Sequence, residues 1–200
     1  MKTIQSSHEE RGMMSASNPR KMTSARLDLI AATCGHVCAE LESPERLAVL
    51  LSAQVESGWP PGEYDRNAQE FFRDRLKEGG QDMAGWLVWY AVLRGNSCRS
   101  SCLIGAGGYF GPPDEEGSVE IGFSIMPAWR NSGYATELTG MLIKNAFNDI
   151  RVRKVIAHTT SENPASRKVL EKSGFTCMGM DEESGCDLYE IHRDIFLNSL

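Results

Sequence analysis

A chain of 200 residues with 41% hydrophobic and 24% charged residues can bury one sizeable core without disulfides or metal staples. Its 21 Lys+Arg against 27 Asp+Glu leave a net charge of -6. That balance argues against a nucleic-acid binder, which normally carries a basic surplus, and gives no support to an anionic membrane surface as partner.

The first residues hold no apolar core of signal-peptide length, and no later stretch approaches the roughly 18–20 apolar residues of a membrane span. A cytoplasmic address is expected, and with it reduced thiols at Cys34, Cys38, Cys98, Cys102, Cys177 and Cys186. Cys34/Cys38 and Cys98/Cys102 have C-x-x-x-C spacing, which is not the C-x-x-C knuckle of zinc ribbons, so no metal is expected.

Taken in chain order, residues 1–22 are polar and without periodicity and are expected to form a flexible tail before a single domain over 23–200. Residues 24–32 alternate as a strand, with Leu27 and Leu29 opposite Arg26, Asp28 and Ile30. A helix is expected over 41–55, started by Ser43-Pro44-Glu45 and carrying Leu47, Leu50 and Leu51. Trp59-Pro60-Pro61-Gly62 breaks the chain, and 67–78 form a charged helix with Phe71, Phe72 and Leu76 inward.

The period then switches to strand. Residues 85–93 are a continuous apolar run, as in a strand covered on both faces. After a polar turn at 96–101, strands are expected over 102–110 and 117–125. A helix over 133–148, a strand at 154–159, a helix at 164–173 and strands at 175–178 and 187–192 complete the pattern. Strands followed by β-α-β describe a mixed α/β fold with a helix-covered sheet.

The most informative segment is Gly122–Glu137, in which a strand ends at Pro127 and a helix opens near Gly133. Glycine there lets the backbone approach a ligand, and the helix N-terminus favours a phosphate or pyrophosphate beside Arg130; a tight β-α connection needing small residues is the bland alternative. No G-x-x-x-x-G-K-[ST] loop is present. Gly105, Gly107, Gly108 and Gly111 run into Pro112-Pro113 instead of a helix, so they mark a bulge or close approach within the sheet and not a dinucleotide turn.

Arg130-Asn131-Ser132-Gly133-Tyr134-Ala135 resembles the R-x-x-G-x-[GA] signature of the GNAT superfamily of acyl-CoA-dependent N-acyltransferases. About thirty residues on, Asn163-Pro-Ala-Ser166-Arg-Lys-Val-Leu170-Glu-Lys-Ser-Gly174-Phe175 resembles that family's N-x-x-S-x-x-V-L-E-K-x-G-F, as in its ribosomal-protein (Rim-type) branch. The resemblance covers residues 24 to about 192. It implies a GNAT-like twisted mixed sheet of six or seven strands with about four helices, and acetyl-CoA as co-substrate. It further implies that Phe123, Ser124 and Ile125 offer strand backbone to the pantetheine. Asn131, Ser132, Gly133, Tyr134, Ala135 and Thr136, with Arg130, would hold the pyrophosphate; Asn163 would face the pantetheine or a water, and Ser166 the thioester sulfur.

N-acylation needs a neutral amine, so the site must accept a proton. Glu120, mid-strand with Val119, Ile121 and Phe123 on the opposite face, is the first candidate base, and His158 on the neighbouring strand the second; a salt-bridged Glu and a structural His are the alternatives. Many family members place a Tyr where this chain has Leu170, which leaves Ser166 to support the departing thiolate. No Cys lies in either motif, favouring direct attack in a ternary complex. Trp59, Glu63 and Tyr64 are the candidate acceptor residues, suited to a cationic small-molecule amine or peptide N-terminus; an ordinary loop is the alternative. The expectation is therefore an acetyl-CoA-dependent N-acetyltransferase, monomeric or homodimeric, with a non-catalytic coenzyme A-binding module as the competing reading.

Overall fold

A computed structural model describes residues 19–198. Residues 1–18 of the expected tail lie outside them, whereas Lys21 and Met22, also placed in that tail, belong to the first strand. The elements are β1 (Lys21–Thr23), β2 (Leu27–Ala31), α1 (Cys34–Glu42), α2 (Pro44–Leu51), β3 (Gln54–Val55), α3 (Arg66–Gly79), β4 (Val88–Leu93), β5 (Cys102–Tyr109) and β6 (Ser118–Ile125). There follow α4 (Tyr134–Asn148), β7 (Lys154–Thr159), α5 (Pro164–Lys172), β8 (Thr176–Asp181), β9 (Cys186–His192) and α6 (Arg193–Leu197).

The sheet runs β1-β2-β4-β5-β6-β7-β9-β8, with β3 added beside β5. Among the described strands only β3/β5 and β6/β7 are parallel. The mixed α/β architecture is as expected, but with nine strands and six helices among the described residues in place of six or seven and about four. The surplus consists of short or weakly patterned pieces. The helix α1 reads Cys-Gly-His-Val-Cys-Ala-Glu-Leu-Glu, poor in helix formers, and is held by its cap: the Thr33 hydroxyl accepts from His36 N–H while the His36 ring bonds the Thr33 N–H.

The expected helix over 41–55 is corrected at both ends. Ser43 ends α1 and caps α2, and Ser52 closes α2 in the left-handed region at φ 49°, freeing Gln54 and Val55 to pair with Cys102 and Leu103. On α3, Phe72 and Leu76 point inward as expected, but Phe71 is exposed and stacks edge-on against Phe72.

The sheet separates two cores. Leu27, Leu29, Trp89, Ile121, Leu138, Leu142 and Leu170 pack between one face and the helices α4 and α5. Val37, Leu47, Tyr64, Phe72, Tyr90 and Leu103 pack between the other face and α1, α2 and α3. β4 is buried along its whole length, as its unbroken apolar run requires. Between β4 and β5 the register shifts, with Ala91 opposite Gly105 and Val92 opposite Leu103, so Ile104 is the extra residue of a bulge. A Cβ on Gly105 would lie 2.5 Å from the Ser124 carbonyl oxygen, so the glycine-rich strand serves both a bulge and a close approach.

Candidate active site

β6 and β7 pair only through Ser118–Lys154, Val119–Val155 and Glu120–Ile156. Beyond Glu120, β6 stays with β5 to Ile125, and beyond Ile156, β7 stays with β9 to Thr159. The sheet therefore splits, and a cavity of about 270 Å³ opens in the split, lined by Ile121, Gly122 and Phe123 on one side and Ala157, His158 and Thr159 on the other. Ser166 from the first turn of α5 also faces it.

The free edge of β6 leads into the turn before α4. Gly133 caps α4 at φ 79° with no side-chain hydrogen bond, and the first intrahelical bond is Glu137 N–H to the Gly133 carbonyl. The N–H groups of the opening turn thus point outward uncapped. Asn131 also takes a positive φ of 60°. The Arg130 Nε donates to the Ile125 carbonyl at 2.9 Å, which fixes the start of its guanidinium at the end of β6.

A second arginine, Arg26 between β1 and β2, had no local sequence signal. Its Nη1 donates to the Ser132 carbonyl at 2.8 Å, its Nε bonds Glu137 at 2.7 Å, and its guanidinium lies 4.4 Å over the Tyr134 ring. Burial pushes the Glu137 carboxyl up, but the donors Ser24 and Arg26 outweigh it and hold the group below its ordinary value. The turn is clamped from outside its own segment.

Glu120 and His158, offered separately by the sequence, form one unit. The Glu120 carboxylate meets His158 Nδ1 at 2.8 Å, and His158 Nε2 lies 3.6 Å from Asp181 at the end of β8. Val119 and Ile121 are buried on the opposite face, as alternation requires. Asn163 caps α5, its side-chain oxygen accepting from Ser166 N–H at 3.0 Å, and does not line the gap between β6 and β7. Leu170 is fully buried in the core and brings no hydroxyl to the gap.

The acceptor candidates divide. Glu63 is exposed and lines both this gap and an adjoining slot under α3; Tyr64 lines the slot. Trp59 lines neither and is corrected to a buried anchor. Its indole N–H donates to Glu40 at 2.6 Å, beside the hydroxyls of Tyr64 at 2.9 Å and Tyr90 at 2.6 Å. Burial pushes the Glu40 carboxyl above its ordinary value against the pull of these donors, and burial above all drives Tyr64 and Tyr90 well up. Glu40 lies on the helix that sequence reading missed; Thr33 three residues before His36 was its one start signal. The Ser124 hydroxyl bonding Pro61 and the Trp129 indole bonding Glu56 complete the anchoring of the 56–65 loop.

An α/β domain whose sheet parts beside a glycine-capped helix N-terminus and a carboxylate–imidazole pair has the make-up of a group-transfer enzyme. The acetyltransferase (GNAT) domain family matches residues 41–176, and the chain belongs to that family. It is 32% identical over 126 residues to an uncharacterized N-acetyltransferase, YjdG, of Bacillus subtilis (strain 168), a match spanning 62% of this chain and 71% of that protein. The fold is similar to that of the aminoglycoside acetyltransferase AAC(6')-Ib in complex with ribostamycin and coenzyme A, with TM-score 0.60 and 20% identity over 87% of this chain and 97% of the other. It is likewise similar to a proposed ribosomal-protein-serine acetyltransferase from Vibrio cholerae, with TM-score 0.59 and 14% identity over 88% and 99% of the two chains. No helix among the described residues is long and apolar enough to cross a membrane, and no group of three or more His, Cys, Asp or Glu side chains among them converges as a metal site.

Proposed function

We propose that this acetyltransferase moves the acetyl group of acetyl-CoA to a primary amine, on a small molecule or a peptide N-terminus, by direct attack in a ternary complex. The observation that carries this reading is the parting of β6 from β7 beside the Glu120–His158 pair. The residues fit a coenzyme A: Gly133 holds a positive φ, the opening N–H groups of α4 have no side-chain cap, and beyond Glu120 the β6 edge facing β7 has no strand partner, with Phe123 backbone on that edge and the Ile125 carbonyl taken by Arg130. When bound, the co-substrate supplies a thioester whose acetyl carbon forms a C–N bond as its C–S bond breaks, coenzyme A leaving as the thiol.

The chain's own residues supply position and protons. N–H groups from Asn131 to Thr136, with Arg130, hold the pyrophosphate, and Arg26 keeps that turn in shape. Glu120, oriented by His158, takes the ammonium proton of the acceptor. The hydroxyl of Ser166, which lines the same gap, hydrogen-bonds the departing sulfur, a part the buried Leu170 cannot play, and the second proton lost by the amine nitrogen ends on that sulfur.

Thiol release from acetyl-CoA, followed against a panel of amines and peptides, tests the reading. Acceptor-dependent release is expected; coenzyme A binding without release for any acceptor would favour the non-catalytic binding module. Gly133→Val should weaken coenzyme A in calorimetry by about 10- to 100-fold, because a β-branched residue at φ 79° costs roughly 1–3 kcal/mol and displaces the N–H groups. Unchanged affinity would remove this turn from the co-substrate site.

A further inference from the structure

The slot under α3 narrows the acceptor further, on the footing of the acetyl-transfer reading above. Its floor is built mainly of small residues, Ala106, Gly107, Gly108 and Gly122, with Val88 and Ser124 beside them. A Cβ on Gly122 would sit 3.3 Å from the Phe110 ring, so that ring lies directly over the strand. Its walls are aromatic, with Tyr64, Phe72 and Phe110 in succession at centroid distances of 6.2 Å and 6.2 Å. Of the residues lining the slot, Glu63 is the one that carries a charge, and Glu63 also lines the gap that holds His158 and Ser166. A flat apolar channel therefore opens at a single carboxylate onto the reaction gap.

We infer that the acceptor is a monoamine on an aromatic body, an arylalkylamine, and not a polycation. One carboxylate pairs with one ammonium where the slot meets the gap, while the ring stacks among Tyr64, Phe72 and Phe110. A polyamine or aminoglycoside would carry further charges onto walls that offer them no partner.

The test compares 2-phenylethylamine, spermidine, kanamycin and a peptide with N-terminal serine, by thiol release and by calorimetric binding to the coenzyme A-saturated protein. The kcat/KM for 2-phenylethylamine is expected to exceed the others by about tenfold or more, the scale of burying one phenyl ring. Phe110→Ala, a change at a half-exposed ring, should raise the KM for 2-phenylethylamine by about tenfold and that for spermidine far less. Ala68→Leu, which narrows the slot from α3, should do the same. Preference for spermidine, kanamycin or the seryl peptide overturns this inference while leaving acetyl transfer intact. Binding of 2-phenylethylamine without thiol release from any acceptor overturns acetyl transfer and keeps the slot's preference. Neither binding nor turnover of 2-phenylethylamine overturns the inference outright.

Discussion

Replacing Glu120 by Gln is expected to lower kcat by about 10²- to 10⁴-fold, the range for losing a positioned general base. An alkylamine with a pKa near ~10.4 is almost wholly protonated at pH 7, so the proton must leave before or as the C–N bond forms. Gln keeps the size of Glu120 and can still accept from His158 Nδ1, so the variant removes the basic site and little else. The rate falls at low pH when a base must be unprotonated. Glu120→Gln should therefore change the pH profile of kcat/KM, and an unaltered profile would retire Glu120 as the base. Because Glu120 and His158 share one hydrogen bond, His158→Gln should also lower kcat, and the double variant should be no slower than the slower single one. Fully additive losses would mean that the two residues act apart.

The largest stability effect is expected at Glu40. Glu40→Ala leaves the indole N–H of Trp59 and the hydroxyls of Tyr64 and Tyr90 without their acceptor in a buried site. An orphaned donor costs about 1–3 kcal/mol, and with partial relief from entering water the three should sum to about 3–5 kcal/mol. Against a total of about 5–15 kcal/mol for an ordinary domain this is a large share, read as a lower urea midpoint at unchanged slope. A loss under about 1 kcal/mol would show that the cluster relaxes around the gap. The sign of the pH effect follows from the raised carboxyl. Folding keeps a proton on Glu40 that the unfolded chain has already released, so stability falls as pH rises from the ordinary carboxylate value through the folded one. Glu40→Gln should flatten that stretch of the stability curve.

Glu40 also explains what sequence reading lost. Trp59 and Tyr64 stood out as aromatics near acidic residues, the pattern of an amine pocket. They turn to Glu40, on a helix with weak local propensity, so Trp59 anchors the loop and only Tyr64 reaches the slot. Arg26 was missed for a related reason. It works on Ser132 and Glu137, more than one hundred residues away, and no spacing rule reaches that far. Glu120 and His158 were legible singly because each interrupts an apolar strand, but their hydrogen bond depends on β6 and β7 lying side by side.

The glycine turn before α4, the cap of α5, the continuous burial of β4 and the membership of the fold class are local matters. Period-two and helical spacing, capping residues and φ preferences act within a few residues, and the sequence by itself determined them. The parting of β6 from β7, the carboxylate–imidazole pair, the Arg26 clamp and the aromatic slot depend on register between distant strands and on which helix covers which face. Those are set by long-range packing of two cores on one sheet, and only the tertiary structure decided them.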